Sequence, residues 1–193
     1  MNLPNQLSTA RLLLTLPFVV LCYIPIPNGH AWALVVFLIA SFTDYLDGMI
    51  ARRWHLVTNF GKLFDPLADK ILMASAMTML AIEKQLPAWV VIAILSREFF
   101  VTGIRQIAVS QGVVLAAEKL GKHKMVWQVI TVTYFLIKMA AEEPLFAFAK
   151  PWFTWRPLSP AFFGNFTIYF TAFLTLISGF SYFWKNRRLF SDA

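Results

Sequence analysis

The sequence contains few charged residues and almost no cysteine. Only 14% of the 193 residues are charged, whereas typical soluble domains contain about 25%. The single cysteine, Cys22, excludes an intramolecular disulfide and a cysteine-rich metal site. Apolar residues make up 59% of the chain, and its mean hydropathy is +0.63. This balance excludes an ordinary soluble domain and predicts an integral membrane protein.

The chain also lacks internal repeats and low-complexity tracts, so we expect residues 1–193 to form a single membrane domain. The first residues carry no basic stretch of the kind that opens a signal peptide, and Pro17, Pro25 and Pro27 follow in place of a small-residue cleavage site. We therefore expect the N-terminal segment to remain in the mature chain. Pro4, Asn5 and Thr9 indicate a short interfacial helix before the first span, with Arg11 at headgroup depth.

Six apolar segments approach the length of about 20 residues that crosses a bilayer. They predict an all-α protein with six transmembrane helices, near residues 11–27, 31–50, 66–82, 87–109, 125–141 and 159–184. The third segment is purely apolar only from Ile71 to Ile82, so its helix must include the charged residues before it. We expect Asp65 and Pro66 in the first turn of that helix, where proline is tolerated.

Basic residues are concentrated in alternate connections between these segments. One side has Arg52, Arg53, Lys62, Lys119, Lys122, Lys124, Lys185, Arg187 and Arg188, and the other has Lys84, Lys150 and Arg156. By the positive-inside rule, both termini and residues 41–70 face the cytoplasm, as in a multi-pass protein of the cell membrane. The longest gap between spans, around residues 140–160, is then an outer loop. The net charge of +7 suits anionic headgroups or a phosphorylated substrate, and no feature indicates a nucleic acid partner.

Four aspartates occur between residues 41 and 70. At 100° per residue Asp44 and Asp47 share one face of the second helix, and Asp65 and Asp69 share one face of the third. Packed carboxylates repel one another and lose hydration, so a cation must hold them together. Mg²⁺ and Mn²⁺ prefer oxygen ligands and often lie between carboxylates and substrate phosphates. The sequence therefore predicts a divalent metal site.

Small residues accompany these acids. Gly48 and Ala51 share the acidic face of the second helix, and Gly61 lies in the connection that follows. They leave room for a bulky group beside the backbone, although close helix packing would also use them. Arg52 lies on the same face and can bind a phosphate or extend to the membrane surface.

Arg97 is the most informative basic residue. It lies about nine residues into an apolar run, too deep for its guanidinium to reach the headgroups easily. It either binds a ligand or pairs with neighbouring Glu98. Arg105 lies about 80° away around the same helix. Lys122 and Lys124 follow in the next connection, where Lys122 is either a ligand-binding residue or a charge that sets topology.

The aspartates and small residues together follow the pattern D-x2-D-G-x2-A-R-x8-G-x3-D-x3-D. This pattern resembles the signature of the CDP-alcohol phosphotransferase family without departure. The resemblance implies a homodimeric bundle of six helices, with a cytoplasm-facing cavity for a CDP-linked lipid and two divalent ions, Mg²⁺ or Mn²⁺. It also implies that Asp44, Asp47, Asp65 and Asp69 bind the metals and that Asp69 is the general base. The cytidine diphosphate would be held by Gly48, Ala51, Arg52 and Gly61.

Four longer segments resemble family members whose acceptor is sn-glycerol 3-phosphate. They are NLPNQLSTARL, LVTNFGKLFDPLADK, SREFFVTGIRQ and LGKHKMVWQ. The resemblance implies phosphatidyl transfer from CDP-diacylglycerol to glycerol 3-phosphate in phospholipid biosynthesis, with Arg97, Arg105 and Lys122 binding the acceptor phosphate. Alternatives within the family use serine, inositol phosphate or phosphatidylglycerol. Alternatives from other classes are an intramembrane prenyltransferase and a divalent-cation transporter.

Overall fold

The computed structural model describes residues 3–54, 59–113, 115 and 119–187, with side chains for residues 9–43, 67–113, 115 and 120–187. All regular secondary structure in these ranges is helical, which confirms the predicted all-α class. The helices are α1 (Leu3–Tyr23), α2 (Gly29–Trp54), α3 (Asn59–Ile82), α4 (Ala88–Ser110), α5 (Lys119–Ala141), α6 (Lys150–Thr154) and α7 (Asn165–Asn186).

All of these helices except α6 are long, with 21 to 26 residues each. At 1.5 Å per residue they measure about 32 to 39 Å, close to the thickness of a bilayer. Within the described residues, one helical segment, Arg156–Asn186, is both long and apolar enough to cross a membrane by length and composition alone. Thr9–Tyr23 and Gly29–Thr43 are apolar but shorter. Helix α4 has a suitable length, but charged residues interrupt its apolar sequence.

Two predictions about helix starts are wrong. Leu3–Tyr23 is one continuous helix, so the predicted interfacial helix is not separate from the first long helix. Arg11 is completely buried within the protein, and its headgroup depth stays a prediction. Helix α3 begins at Asn59, which places Asp65 and Pro66 beyond its first turn. Proline removes a backbone donor and crowds the preceding turn, so the helix continues through Pro66 only because interactions elsewhere outweigh that cost.

The predicted outer loop is largely helical as well. Pro144–Ala149 and Arg156–Leu158 form 3₁₀ turns on either side of α6, and Pro160–Gly164 forms a π turn leading into α7. The Tyr134 hydroxyl on α5 donates a hydrogen bond to the carbonyl of Leu158 at 2.7 Å. A proline in the first turn of each short element explains why each begins where it does.

One end of the bundle is held together by Glu143. Its carboxylate accepts hydrogen bonds from the backbone N–H groups of His30 at 2.9 Å and Ala31 at 2.8 Å, at the start of α2. These donors have no partner within their own helix, and the helix dipole favours a negative charge beside them. At the same end, Asn28 Oδ1 accepts from the Leu145 N–H at 3.1 Å. The connection between α1 and α2 is therefore fixed to the segment after α5.

Replacing Glu143 with alanine is expected to lower stability by about 1 to 2 kcal/mol, the usual effect of losing a helix cap. In detergent, this corresponds to a melting temperature about 2–8 °C below that of the unmodified chain. Glu142 provides a matched control, because its ion pair with Lys150 at 2.9 Å is exposed on both sides and such pairs contribute little. A Glu143→Ala melting temperature equal to that of Glu142→Ala would contradict the capping role.

Helix α7 has its polar face inside. The residues that it buries include Thr167, Thr171, Thr175, Ser178 and Gly179, and the Thr171 hydroxyl lies 3.0 Å from that of Thr131 on α5. Its exposed face has Phe166, Phe173, Leu176 and Phe180. Small and hydroxylated residues between helices with large apolar residues outside are typical of membrane helix packing.

Candidate active site

A cavity of about 260 Å³ opens between α3, α4, α5 and α7, away from the end that Glu143 holds. Its lining includes Asp69, Arg97, Arg105 and Lys122, four of the residues that the sequence analysis selected. They come from three helices, and positions 69 and 122 are 53 residues apart along the chain. The structure therefore brings the last aspartate of the motif together with the three basic residues.

The cavity lining carries more positive than negative charge. Its basic residues are Lys70, Arg97, Arg105, Lys122 and Lys124, and its acidic residues are Asp69 and Glu98. The excess arises because both arginines of α4 and two lysines from the start of α5 line the same cavity. An enclosed region with excess positive charge favours anions such as phosphates.

Glu98 connects two of these cations. Its Oε1 accepts a hydrogen bond from Arg97 Nη1 at 3.0 Å and also pairs with Lys124 Nζ. Lys124 is almost completely buried, with 3% of its surface exposed. The alternative that Arg97 pairs with Glu98 is thus confirmed, but the pair lies in the cavity wall and uses only part of the guanidinium.

Arg97 lies against two glycines, one beside its stem and one beside its guanidinium. A Cβ added to Gly179 on α7 would lie 3.0 Å from Arg97 Cγ, and one added to Gly121 on α5 would lie 3.4 Å from Nη2. Arg97 Nε is buried and has no hydrogen-bond partner among the described residues. Buried donors are usually paired with protein, water or a bound group, so this guanidinium retains capacity for a ligand.

Arg105 is held by the last turns of α7. Its Nε donates a hydrogen bond to the hydroxyl of Tyr182 at 3.1 Å, and its guanidinium carbon lies 5.5 Å from the centre of that ring. Tyr182 is buried whereas Arg105 is exposed. Lys122 is exposed at the start of α5, and Lys70 donates to the hydroxyl of Thr102 on α4.

Asp69 is the one motif aspartate whose side chain the structure describes. It is half-buried, lines the cavity and attracts the Lys124 ammonium electrostatically. Asp44 and Asp47 lie within α2 and Asp65 within α3, as the spacing predicted, but their side chains lie outside the described residues. The same holds for the predicted nucleotide-binding residues Gly48, Ala51, Arg52 and Gly61.

The described side chains alone do not form a metal site. Among them, no group of three or more His, Cys, Asp or Glu residues has an arrangement that could hold a metal ion. Asp69 supplies one carboxylate, a ligand type that suits Mg²⁺ and Mn²⁺. The metal prediction therefore depends on the three aspartates whose side chains are outside the described part of the chain.

Sequence reasoning missed Glu98, Lys124 and Tyr182 as components of the site. An acid inside an apolar segment is a functional signal in its own right, and Glu98 could have been selected on that ground. In the sequence, Lys124 could not be told apart from the other basic residues between the apolar segments. Tyr182 resembled the other aromatic residues near span ends, and nothing in the sequence distinguishes it.

Known proteins of one family match this chain over most of its length. The family model for CDP-alcohol phosphatidyltransferase matches residues 1–177. The CDP-diacylglycerol–glycerol-3-phosphate 3-phosphatidyltransferase of Bacillus subtilis (strain 168) is 39% identical over 198 residues, covering 96% of this chain and 95% of the relative. The Rickettsia typhi protein of the same name is 32% identical over 182 residues, covering 94% and 95%.

A third relative matches a shorter part of the chain. A probable phosphatidylglycerophosphate synthase of Mycobacterium tuberculosis is 35% identical over 146 residues, covering 72% of this chain and 68% of the relative. The family match extends over all four motif aspartates, over α3, α4 and α5, and over α7 as far as residue 177. The chain belongs to the CDP-alcohol phosphatidyltransferase family.

Proposed function

We propose that this protein transfers the phosphatidyl group of CDP-diacylglycerol to sn-glycerol 3-phosphate, giving phosphatidylglycerophosphate and CMP. The observation that carries the proposal is the cavity that joins Asp69 to Arg97, Arg105 and Lys122. Relatives named for this reaction align with the chain over nearly its whole length. An acid beside a cluster of cations suits an acceptor that has both a reactive hydroxyl and a phosphate.

Arg97, Arg105 and Lys122 bind the acceptor phosphate. The buried Nε of Arg97 has no partner among the described residues, and the exposed Arg105 uses its Nε for Tyr182, which leaves its two terminal nitrogens for an oxyanion. Arginine suits this role because its planar donors match the oxygens of a phosphate. Binding at several points orients the glycerol hydroxyl toward the lipid phosphate.

Asp69 accepts the proton of the acceptor's primary hydroxyl. The hydroxyl oxygen forms a bond to the β-phosphorus of CDP-diacylglycerol, and the bond from that phosphorus to the oxygen of CMP breaks. CMP leaves with that electron pair, and the proton passes to the Asp69 carboxylate. A carboxylate is a weak base toward an alcohol, so we expect the proton to move as the new bond forms.

Asp44, Asp47, Asp65 and Asp69 would hold two divalent ions, Mg²⁺ or Mn²⁺. The donor set fits, since each residue offers carboxylate oxygens and these cations prefer oxygen. When bound, such ions neutralise a diphosphate and the charge that develops on the leaving group. Gly48, Ala51, Arg52 and Gly61 would hold the cytidine diphosphate beside them, with the small residues admitting it close to the backbone.

The protein is proposed to cross the cell membrane six times, with the cavity facing the cytoplasm, and to form a homodimer. The lengths of the six long helices and the outward-facing apolar residues of α7 support the crossing. The basic residues at the cavity end support its orientation. The homodimer rests on the family resemblance.

The test is CMP release by the detergent-purified protein given CDP-diacylglycerol and Mg²⁺. Glycerol 3-phosphate, serine, inositol phosphate and phosphatidylglycerol are supplied separately as acceptors. We expect release only with glycerol 3-phosphate and its loss with excess EDTA, restored by added Mg²⁺ or Mn²⁺. Release with another acceptor alone would overturn the roles of Arg97, Arg105 and Lys122. Metal flux into liposomes without CMP release would instead indicate a transporter.

A further inference from the structure

We propose that Glu98 and Gly179 are positioning residues, which hold Arg97 in the orientation that binds the acceptor phosphate. Neither residue contacts the reacting atoms in this account. The inference depends on the proposed function, because it assigns a purpose to contacts around a residue that the function places at the acceptor. The contacts that support it are independent of that function, since they show how the Arg97 side chain is held and not what it binds.

Glu98 fixes the guanidinium end of Arg97. One carboxylate oxygen, Oε1, accepts from Arg97 and from Lys124, which come from two different helices. Both cations line the cavity, and their side chains are mostly buried, with exposures of 12% for Arg97 and 4% for Lys124. An oxygen shared by two buried cations sets the distance between them. It also reduces the repulsion that would otherwise drive them apart.

The main-chain carbonyl of Glu98 takes part in a second set of contacts, separate from those of its carboxylate. The Thr102 hydroxyl donates to the Glu98 carbonyl at 2.7 Å and accepts from Lys70 of α3. The contacts of Glu98 and Thr102 thus connect α3, α4 and α5 around one side of the cavity. Buried ion pairs are often no more stable than apolar residues of the same size, so stability alone does not account for this arrangement.

Gly179 fixes the other end of the Arg97 side chain. The contact is already close, because a Cβ at position 179 would lie 3.0 Å from Arg97 Cγ. Few real Cβ contacts are that short, so alanine would displace the stem of the side chain. Gly121 leaves space at the guanidinium, where a Cβ would lie 3.4 Å from Nη2. Arg97 is therefore confined by α7 at its stem and by Glu98 at its tip.

The first experiment compares Glu98→Ala, Glu98→Gln and the unmodified chain in steady-state kinetics for both substrates. We expect Glu98→Ala to raise the KM for glycerol 3-phosphate by about tenfold. The KM for CDP-diacylglycerol and kcat should stay within about twofold, because Arg97 binds the acceptor alone in the proposed function. Glu98→Gln retains an accepting oxygen and should recover part of the loss. Glu142→Ala, at an exposed glutamate on the far end, should match the unmodified chain.

The second experiment uses Gly179→Ala alone and in an Arg97→Ala background. We expect a several-fold rise in the KM for glycerol 3-phosphate in the first case and no further rise in the second, since residues that act through one another are not additive. If Gly179→Ala caused only a general packing defect, it would raise the KM for glycerol 3-phosphate by the same factor in both backgrounds. Equal effects on both substrates, or full additivity with Arg97→Ala, would overturn the inference.

CMP release by the unmodified chain distinguishes a failure of the positioning role from a failure of the proposed function. If it releases CMP with glycerol 3-phosphate and Glu98→Ala leaves the KM for that acceptor unchanged, the positioning role is wrong and the proposed function stands. If it releases no CMP with glycerol 3-phosphate, the proposed function fails and the inference fails with it. Melting temperatures of all variants show which of them are folded, and Glu98→Gln and Gly179→Ala test the inference should Glu98→Ala unfold.

Discussion

Replacing Asp69 with asparagine is expected to reduce CMP release by about 1000-fold, within the range of losing a general base. Asparagine has nearly the same shape, so the cavity between α3, α4, α5 and α7 should persist. It cannot accept the acceptor's proton, and it offers a weaker ligand to a divalent ion. The measurement is turnover at saturating CDP-diacylglycerol and glycerol 3-phosphate.

Binding of the CDP-linked lipid should survive this substitution, because the other motif residues remain. The matched control is Asp192→Asn, since Asp192 is the chain's one aspartate outside the motif. The control should turn over at the unmodified rate. Turnover by Asp69→Asn within about tenfold of the control would remove Asp69 from the role of base, because such residues usually contribute more than that.

Replacing Arg97 or Arg105 with alanine is expected to raise the KM for glycerol 3-phosphate by about 10- to 100-fold. The estimate follows from losing a hydrogen bond to a charged group, worth about 1.5 to 3 kcal/mol. The KM for CDP-diacylglycerol should change far less. Arg97→Ala should have the larger effect, because Arg97 is mostly buried whereas Arg105 is exposed to competing water.

Two comparisons make the arginine prediction specific. Arg156→Ala removes an exposed arginine from the segment between α6 and α7 and should leave both KM values unchanged. Arg97→Lys keeps the charge but loses the planar pair of donors, so it should recover only part of the binding. Loss of affinity for both substrates to the same degree would count against an acceptor site at these residues.

The sequence predicted the helices better than it predicted their ends. Each long helix contains most of one apolar segment, because burial of apolar residues and backbone pairing both favour a helix there. The starts of α1, α3 and α5 lie before the apolar runs, at Leu3, Asn59 and Lys119. Helical hydrogen bonding does not require apolar residues, so a helix continues through charged turns that a hydropathy pattern excludes.

The placement of the motif aspartates on helices was predictable, because these residues lie close together in sequence. The spacing of the motif aspartates follows one helical period, and α2 and α3 contain them as expected. Contacts between distant helices gave no such signal. The pairing of Glu98 with Lys124 spans 26 residues and that of Arg105 with Tyr182 spans 77. Such pairs depend on how helices pack, and no local pattern encodes that packing.

Arg97 shows how two interpretations of one residue can both apply. The sequence left open whether it pairs with Glu98 or binds a ligand. The structure contains the ion pair, but only Nη1 takes part in it, and the guanidinium still lines the cavity. An ion pair that leaves donors available is a means of orienting an arginine and does not argue against a binding role.

The most direct test of the central claim follows the acceptor into the product. Glycerol 3-phosphate carrying radioactive carbon is incubated with CDP-diacylglycerol, Mg²⁺ and the purified protein, and lipids are then extracted into organic solvent. The account predicts label in a lipid with the mass of phosphatidylglycerophosphate, formed in equal amount with CMP and absent with Asp69→Asn. CMP release while all label remains in the aqueous phase would contradict the account, because the phosphatidyl group would then have gone elsewhere.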